Sequence, residues 1–421
     1  MSESGRRQTL LLSRDATPVE LQINQKTCPM PEPFMGRIGA ILFISLLFFL
    51  NFLGRFIFAP LMPTIEQEMG LSHSQSGFMF LMISIGFFFA QLGSGFVTSR
   101  LNHRGTIIVS GLAVGLTLIS FRLTDSVWMI RVVMMLLGLA AGLHMPSALA
   151  AITAMVRRED WGKALAVHQT APSLSLVLAP VLAEALLDWF SWRTTLAFLG
   201  GFASAAAVAY MWFGRGGEFP GETPRPRIMK AVFTQPSVWI IIGLFGLAIG
   251  GGVGTYAMLP LYLVAEGGLD RGWANTLLGL SRISGLFMTF VAGWMTDRVG
   301  EKWAISVVLF TGGLATILLG TASNAWLVAI VFVQPALIVC FFPSGFSALS
   351  RAVAPSMRSV GTSLAIPLAF LFGGGIVPAG IGYMGEVQTF GLGITLAGGL
   401  MILGPLLVLL LKFGEHEEEG C

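Results

Sequence analysis

Two arginines interrupt long apolar stretches of this chain, where a charged side chain is costly. Arg55 lies within 37–64 and Arg282 within 273–296. At a helical rise of 1.5 Å per residue, they would lie roughly 11 Å and 13 Å from the same membrane surface. An arginine at the centre of a membrane-spanning helix costs about 2.5–3.5 kcal/mol, so such residues are usually functional. A guanidinium binds carboxylate, sulfonate or phosphate through paired hydrogen bonds, which predicts an anion-binding site.

Acidic partners for these arginines are scarce in the sequence. In the first half, Glu184 and Asp188 are the only acids close to the membrane interior, and the second half has none between positions 270 and 297. We therefore expect the counter-charge to arrive with a bound anion. For Arg55, the alternative is an internal ion pair with Glu184 or hydrogen bonds to helix carbonyls.

Four other polar residues in the apolar segments could contact the same anion. Asn51 precedes Arg55 by one helical turn and lies on the same face. Tyr256 and Tyr262 could donate hydroxyl hydrogen bonds, and Gln169 is a further candidate. For Asn51, the alternative is a buried amide that bonds to helix backbone.

Three titratable residues are candidates for a coupling proton. His144 and His168 lie in apolar segments, and histidine titrates near neutral pH. Glu184 is the third candidate, because an acid close to the membrane interior can act as a proton relay. The alternatives are a histidine that only joins two helices by a hydrogen bond, or transport by exchange.

Composition indicates that membrane-spanning helices position these residues. Hydrophobic residues make up 54% of the 421 residues and charged residues only 11%, against roughly 25% charged in a soluble domain. The 52 glycines suit closely packed transmembrane helices. A formal net charge of +3, with the basic residues scattered over many turns, gives no footprint for nucleic-acid binding.

No metal or cofactor motif is apparent in the sequence. The three cysteines, Cys28, Cys340 and Cys421, lack metal-ligand spacing. The glycine runs 250–252 and 373–375 lie inside apolar segments, where they suit helix bending and close packing. We therefore expect no cofactor and no ATP-driven transport.

The sequence predicts an all-α membrane protein with twelve transmembrane helices, since about 20 apolar residues span a bilayer. The predicted spans are 37–64, 74–99, 105–122, 127–155, 164–187, 194–213, 238–263, 273–296, 303–322, 326–350, 360–383 and 389–411. The expected regions are a disordered cytoplasmic tail (1–36), a six-helix bundle (37–213), a cytoplasmic linker (214–237), a second six-helix bundle (238–412) and a cytoplasmic tail (413–421).

Basic residues set the expected orientation. Nineteen of the 25 lysines and arginines fall on one side of the predicted spans, together with both termini. Because cytoplasmic loops carry an excess of basic residues, we expect both termini in the cytoplasm and the chain in the cell (inner) membrane.

A ten-residue pattern occurs twice, 198 positions apart, after the second span of each half. The copies are Gly95-Phe-Val-Thr-Ser99-Arg100-Leu-Asn102-His-Arg104 and Gly293-Trp-Met-Thr-Asp297-Arg298-Val-Gly300-Glu-Lys302. They resemble the loop between the second and third helices of each half in the major facilitator superfamily, G-x-x-x-D-R-x-G-[RK]-[RK]. Ser99 and Asn102 depart from the usual Asp and Gly.

The resemblance implies a gating latch on the cytoplasmic side, formed by Asp297, Arg298, Ser99 and Arg100. An aspartate there can accept hydrogen bonds from the first amides of a facing helix. Ser99 can do so only as a neutral acceptor, so we expect an asymmetric latch. The alternative is that the basic residues merely anchor the turns at the lipid headgroups.

Other segments resemble the same superfamily. Positions 138–146 and 162–180 are similar to its fourth and fifth helices, and the turn Ser191-Trp192-Arg193 to the loop that follows them. The resemblance implies two pseudo-symmetric six-helix bundles around a central cavity, alternating access, and usually a monomer. In its position Arg282 resembles the substrate-anion arginine of the monocarboxylate and oxalate transporter branches, and the chain also resembles the anion:cation symporters.

We therefore expect a secondary transporter, not an enzyme, that moves a small organic anion by proton-coupled uptake. A carboxylate or sulfonate is the expected cargo. The alternatives are multidrug or metabolite efflux by proton antiport, anion exchange, and a non-transporting sensor. An efflux carrier for cations would usually need a membrane-embedded acid, and such acids are scarce here.

Overall fold

The apolar segments form helices in the computed structural model, which describes residues 33–221, 223, 233–352 and 358–411. The bounds are α1 Phe34–Met69, α2 73–101, α3 103–120, α4 Val127–Met155, α5 Trp161–Leu187, α6 Trp192–Phe213, α7 Pro236–Ala265, α8 Arg271–Ser281 with Ile283–Val299, α9 Glu301–Thr321, α10 Asn324–Ile338 with Phe341–Ala352, α11 Arg358–Leu371 with Val377–Val387, and α12 Phe390–Ile402 with Gly404–Leu410. The predicted all-α fold of twelve helices is confirmed within these residues.

The described residues cover most of the two predicted bundles and only parts of the predicted tails and linker. Helix α1 begins at Phe34, three residues before the predicted start at 37. The rest of the predicted N-terminal tail, the C-terminal tail 413–421 and most of the linker beyond residue 221 lie outside the described residues.

Ten helical stretches of the described chain are long and apolar enough to cross a membrane. One of them, His73–Leu123, is 51 residues long and contains both α2 and α3. Helix α8 is not among these ten stretches. The membrane assignment from composition therefore agrees with the helix lengths.

The two copies of the repeated turn adopt the same unusual backbone conformation. Asn102 has φ 58° and ψ 174°, and Gly300 has φ 79° and ψ 159°, a region of backbone conformation that is essentially restricted to glycine. The Asn102 side-chain oxygen accepts a hydrogen bond from the Gly105 amide at 2.7 Å. Asparagine therefore replaces glycine at this turn without changing its path.

The turns between the helices lie on two opposite sides of the helical array, which we call the linker side and the far side. The linker side carries the turns at Asn102 and Gly300 and the segment 214–221; the far side carries the turns 70–72, 188–191 and 266–270. Side chains cap the starts of five even-numbered helices on the far side, where each accepts from the backbone amide three residues later. These caps are Ser72, Ser126, Ser191, Asp270 and Thr389.

Within each six-helix half, equivalent glycines hold two helices in close contact. In the first half, a Cβ on Gly115 of α3 would lie 2.6 Å from the Gly200 oxygen of α6. In the second half, a Cβ on Gly313 of α9 would lie 2.8 Å from the Gly398 oxygen of α12. The third and sixth helices of each half therefore pack backbone to backbone, as small residues allow in membranes.

Candidate anion-binding site

Arg55 lies in the middle of α1 and is only 5% exposed. Its guanidinium carbon lies 4.7 Å from the ring centroid of Phe52 and 4.5 Å from that of Phe87. Its Nε is buried without a hydrogen-bond partner among the described residues. The charge is therefore held by cation–π contacts, and no described acidic residue pairs with it.

A small cavity of about 30 Å³ opens beside Arg55, and we call it the Arg55 chamber. Helices α1 and α2 of the first half and α7 and α11 of the second half contribute its walls. The lining residues are Arg55, Phe56, Phe80, Ile83, Ser84, Phe87, Val253, Ala257, Phe370 and Gly374. The chamber thus lies between the two halves, as the predicted central cavity requires.

Arg282 lies at a break in α8, where its own amide bonds to the Gly279 oxygen and the α-helical pattern is interrupted. Its guanidinium carbon lies 4.7 Å from the centroid of the Tyr256 ring. Its Nη1 donates to the Gly252 oxygen at 3.5 Å, and its buried Nε has no partner in the described part of the chain.

The carbonyl that accepts from Arg282 belongs to a π-helical turn, Gly250–Gly254. Such a turn shifts the backbone bonding of α7 and is frequent at functional sites. The Gly252 oxygen accepts from Arg282, and the Gly251 oxygen accepts from the Gln334 amide at 2.7 Å. The glycine run predicted to bend a helix therefore forms part of the arginine site.

A second cavity, of about 90 Å³, borders Arg282, and we call it the Arg282 chamber. Its lining residues are Ser173, Leu176, Gly252, Val253, Arg282, Gly285, Pro335, Ile338, Val339 and Phe342. Val253 lines both chambers. The two arginines therefore border adjoining cavities, whereas the sequence suggested a single site with one arginine on each side.

The other predicted anion contacts lie outside these two linings. Asn51 donates to the Ala141 oxygen at 3.1 Å and to Ser110 at 3.4 Å, which is the backbone-bonded alternative considered above. Tyr262 donates to the Leu319 oxygen at 2.8 Å.

Tyr256 and Gln169 lie close to the Arg282 chamber. The Tyr256 hydroxyl donates to the Leu176 oxygen at 3.1 Å, and its ring faces Arg282. Gln169 is exposed and precedes the lining residues Ser173 and Leu176 by one and two turns of α5, on the same face.

The two candidate histidines form one buried group with Phe48. His144 and His168 are 1% and 0% exposed. Both rings stack on Phe48, at centroid distances of 5.3 Å and 4.5 Å, and their own centroids lie 6.2 Å apart. Three of the four imidazole nitrogens have no partner among the described residues, and the fourth, Nδ1 of His168, lies 3.5 Å from Ser45.

Glu184 pairs with the second half of the protein and not with Arg55. It accepts two hydrogen bonds from Arg271, at 3.1 Å and 3.2 Å, and one from Asn275 at 2.5 Å. Arg271 also donates to Thr64 on α1 at 3.2 Å. We call these four residues the far-side bridge, because they join α1 and α5 to α8.

Sequence reasoning missed the far-side bridge because its partners come from distant parts of the chain. The signal available was local: Asp270 caps α8 and so places Arg271 in the first turn of that helix. Nothing in the sequence indicates that α5 faces this turn. Arg271 and Asn275 are therefore functional candidates that only the structure supplies.

Among the residues that the structure describes, the predicted latch residues make no contact between the halves. Asp297 is exposed and has no hydrogen-bond or ion-pair partner in the described part of the chain. Ser99 donates to the Phe96 oxygen of its own helix at 2.9 Å. Arg298 lies over the ring of Trp294, at 4.6 Å, and Arg100 is exposed.

The linker segment 214–221 covers the first copy of the repeated turn. The His103 and Arg104 amides donate to the Phe219 and Gly217 oxygens at 3.2 Å and 2.8 Å. The Gly221 amide donates to the Thr98 oxygen at 3.0 Å. The copy with Ser99 therefore binds the linker, while Asp297 in the second copy is exposed.

Within the described residues, no group of three or more histidine, cysteine, aspartate or glutamate side chains could hold a metal ion. The site therefore consists of two arginines, aromatic and aliphatic walls, and a separate histidine pair.

The comparisons with known proteins agree with this architecture. The membrane sensor protein UhpC of Escherichia coli (strain K12) is 24% identical over 315 residues, which cover 69% of this chain and 70% of that protein. The gallate transporter of Pseudomonas putida is 22% identical over 373 residues, covering 76% and 81%. A crystal structure of a bacterial homologue of the human lysosomal transporter Spinster, inward-facing and occupied, matches with a TM-score of 0.77 at 13% identity over 90% of this chain and 97% of that one. A family model for the Major Facilitator Superfamily matches residues 44–378, most of the chain, and the protein therefore belongs to that superfamily of membrane transporters.

Proposed function

We propose that this protein is a secondary active transporter that moves a small organic anion, a carboxylate or sulfonate, by alternating access. The observation that carries this proposal is the state of Arg55 and Arg282. Both lie in the membrane interior, both border a cavity, and neither has an acidic partner among the described residues. A bound anion would supply the missing counter-charge through paired hydrogen bonds.

The adjoining chambers provide a route on which the anion keeps a cationic partner. Val253 lines both chambers, and the Tyr256 ring contacts Arg282 on one side and Phe56 on the other. An anion that passes Val253 would exchange one guanidinium for the other. Charge compensation would therefore continue along the path, where an unpaired anion in a low-dielectric interior would be costly.

His168 and His144 are our proposed carriers of the coupling proton. They stack on Phe48, which lies two helical turns before Arg55 on α1. A protonated imidazole would add positive potential near Arg55 and strengthen anion binding. Release of that proton to the cytoplasm would weaken binding and free the anion, which gives proton-coupled uptake.

Alternating access would use the far-side bridge and the predicted latch in turn. Glu184, Arg271 and Asn275 join the halves on the far side in the present conformation. Asp297 is free to form its contact on the linker side when the far side opens. Because the distribution of basic residues predicts that the linker side is cytoplasmic, we propose that this conformation would release cargo inward.

Ligand-dependent thermal stabilisation of the purified protein, followed by uptake into proteoliposomes, tests the proposal. The panel contains small carboxylates, sulfonates, phosphates, sugars and cationic dyes. We expect stabilisation by carboxylates or sulfonates, and uptake that increases when the outside is more acidic than the inside.

Arg282→Lys sharpens this test, because lysine keeps the charge and loses the paired donors. We expect the variant to fold with an unchanged elution profile and to lose most of its uptake. Wild-type uptake by Arg282→Lys would remove Arg282 from the anion site. Stabilisation by cations or neutral amphiphiles alone would overturn the anion proposal.

Efflux by proton antiport is the second candidate, and the phenylalanine walls of the Arg55 chamber favour it. Anion exchange is a further variant of the mechanism. Uptake by right-side-out vesicles that requires preloaded anion would indicate exchange, and accumulation only in inverted vesicles would indicate efflux. A protein that binds the anion and gives no flux in either orientation would be a sensor.

A further inference from the structure

A third cavity lies within the second half, between α7, α11 and α12, and we call it the α7–α12 groove. Its volume is about 640 Å³, which is within the roughly 300–1,000 Å³ found for small-molecule sites. Two of its lining residues, Leu400 and Leu406, are 55% and 59% exposed, so the groove opens at the outer surface of the helices. In a membrane transporter, that surface faces lipid. The lining residues fall within 239–251 of α7, 372–377 of α11 and 397–407 of α12.

We propose that this groove binds one acyl chain of a phospholipid from the linker-side leaflet. Its described lining consists of aliphatic side chains, phenylalanine, glycine and one tryptophan. The Nε1 of that tryptophan, Trp239, donates to the Phe233 oxygen at 2.9 Å, so the lining leaves no side-chain polar group to pair with a ligand. A charged cargo would lose its hydration there without compensation. A hydrocarbon chain would gain from the same burial.

The length of the groove matches the thickness of one leaflet. Along α7 the lining runs from Trp239 to Gly251, and along α12 from Leu407 to Ala397. At 1.5 Å per residue these stretches are roughly 18 Å and 15 Å long. Half of a hydrocarbon core of about 30 Å is about 15 Å. A single acyl chain would therefore fill the groove from the membrane surface to the midplane.

Trp239 marks the end at which the chain would enter. It lies in the first turn of α7, which begins at Pro236 on the linker side, and it is 49% exposed. Tryptophan is enriched at the membrane–water interface, where its ring sits at the level of the headgroups. The headgroup would therefore lie beside Trp239, and the methyl end of the chain would lie near Gly250 and Gly251.

Two glycines of α7 provide the space for the chain. A Cβ on Gly243 would lie 3.5 Å from Cδ1 of Leu407, and a Cβ on Gly246 would lie 3.5 Å from Cβ of Phe372. Both are ordinary van der Waals separations. A larger side chain at either position would therefore occupy the groove without forcing α7 away from its neighbours.

The inner end of the groove meets the backbone that serves Arg282. Gly250 and Gly251 line the groove, and Gly252, the next residue of the same π-helical turn, accepts from Arg282. The Gly251 oxygen accepts from the Gln334 amide at 2.7 Å. A bound chain would therefore pack against a turn whose carbonyls are bonded to the arginine and to α10.

Photo-crosslinking of the full-length protein in proteoliposomes tests the site. The probe is phosphatidylcholine with a diazirine at the methyl end of one acyl chain, and the adducts are located by digestion and mass spectrometry. We expect chain-end adducts on residues 246–251, whereas a diazirine beside the ester group should label Trp239 and Leu407. Gly243→Leu should reduce the chain-end adducts about tenfold, since its side chain excludes about two CH₂ groups of the lipid.

Gly201→Leu is the matched control, because Gly201 lies on the exposed face of α6. A Cβ at this position would meet no atom within 4 Å among the described residues. The substitution should leave the adducts on residues 246–251 unchanged. Gly246→Leu replaces Gly243→Leu if the latter fails to give a cooperative thermal transition.

Two outcomes would overturn the acyl-chain site. If chain-end adducts on residues 246–251 are equally abundant in Gly243→Leu and Gly201→Leu, the lipid only touches the outer surface of the helices. If these adducts do not form in the wild-type protein, the groove does not hold a lipid chain, and elution as a dimer would then assign it to a second copy of this chain.

Discussion

Arg55 and Arg282 lie in opposite halves of the protein, and their surroundings differ in kind. Arg55 is enclosed by the rings of Phe52 and Phe87, and no hydrogen bond to it is seen among the described residues. Arg282 faces one ring, that of Tyr256, and donates to the Gly252 oxygen. The first guanidinium therefore depends more on a bound anion than the second does.

The backbone explains this difference. In the second half, a π-helical turn at Gly250–Gly254 and the break of α8 at Arg282 bring a carbonyl to the arginine. In the first half, Arg55 lies in the last turn of the helix Phe34–Phe56, and no carbonyl among the described residues accepts from its guanidinium. We infer that Arg55 provides most of the binding energy for the anion, and that Arg282 contacts the anion only transiently.

Replacing each arginine by glutamine tests this difference between Arg55 and Arg282 most directly. Arg55→Gln should weaken binding of the cargo anion about a hundredfold, since charge-assisted bonds contribute about 1.5–3 kcal/mol each. Arg282→Gln should weaken it about tenfold, because the protein already satisfies one of its donors. Calorimetry with the best-binding anion of the panel measures both.

The thermal midpoints of these two variants provide the control. Removal of an unpaired buried charge should not lower the midpoint of the Arg55 variant without ligand. A larger loss of affinity in Arg282→Gln than in Arg55→Gln would reverse the assignment of the two chambers.

The two halves also differ in titratable residues, because both candidate histidines, His144 and His168, lie in the first half. His168→Gln should abolish the stimulation of uptake by an inward proton gradient, while anion binding changes little at a pH where the histidines are neutral. Uptake into proteoliposomes at an external pH of about 6 and of about 7.5 measures this ratio. His144→Gln is the companion variant, since the two rings share Phe48.

In the wild-type protein, proton symport requires faster uptake at the lower external pH, because the proton must bind from outside. If the ratio of the two rates survives in both histidine variants, the coupling proton binds elsewhere. If the wild-type ratio is one, the carrier exchanges anions and the histidines are structural.

The sequence predicted the spans and turns well because these depend on local signals. Hydropathy marks the helices, and the 198-residue spacing places Asn102 and Gly300 at equivalent turns. The division of the site into two chambers was not predictable, since it depends on a π-helical turn and on how α7 packs. The partner of Glu184 was missed for a similar reason: an ion pair between α5 and α8 depends on the conformation of the whole protein.

The smallest effects should come from the two copies of the repeated turn. Asp297→Asn removes the anionic acceptor of the proposed latch, and a carboxylate at a helix N-terminus contributes about 0.3–1 kcal/mol. We therefore expect uptake to fall about twofold to fivefold, with anion binding unchanged. Ser99→Ala should have no effect, because Ser99 donates to the Phe96 oxygen of its own helix and the linker covers that copy. Equal losses in the two variants would mean that the halves gate symmetrically, and that the difference between the arginines does not extend to the turns.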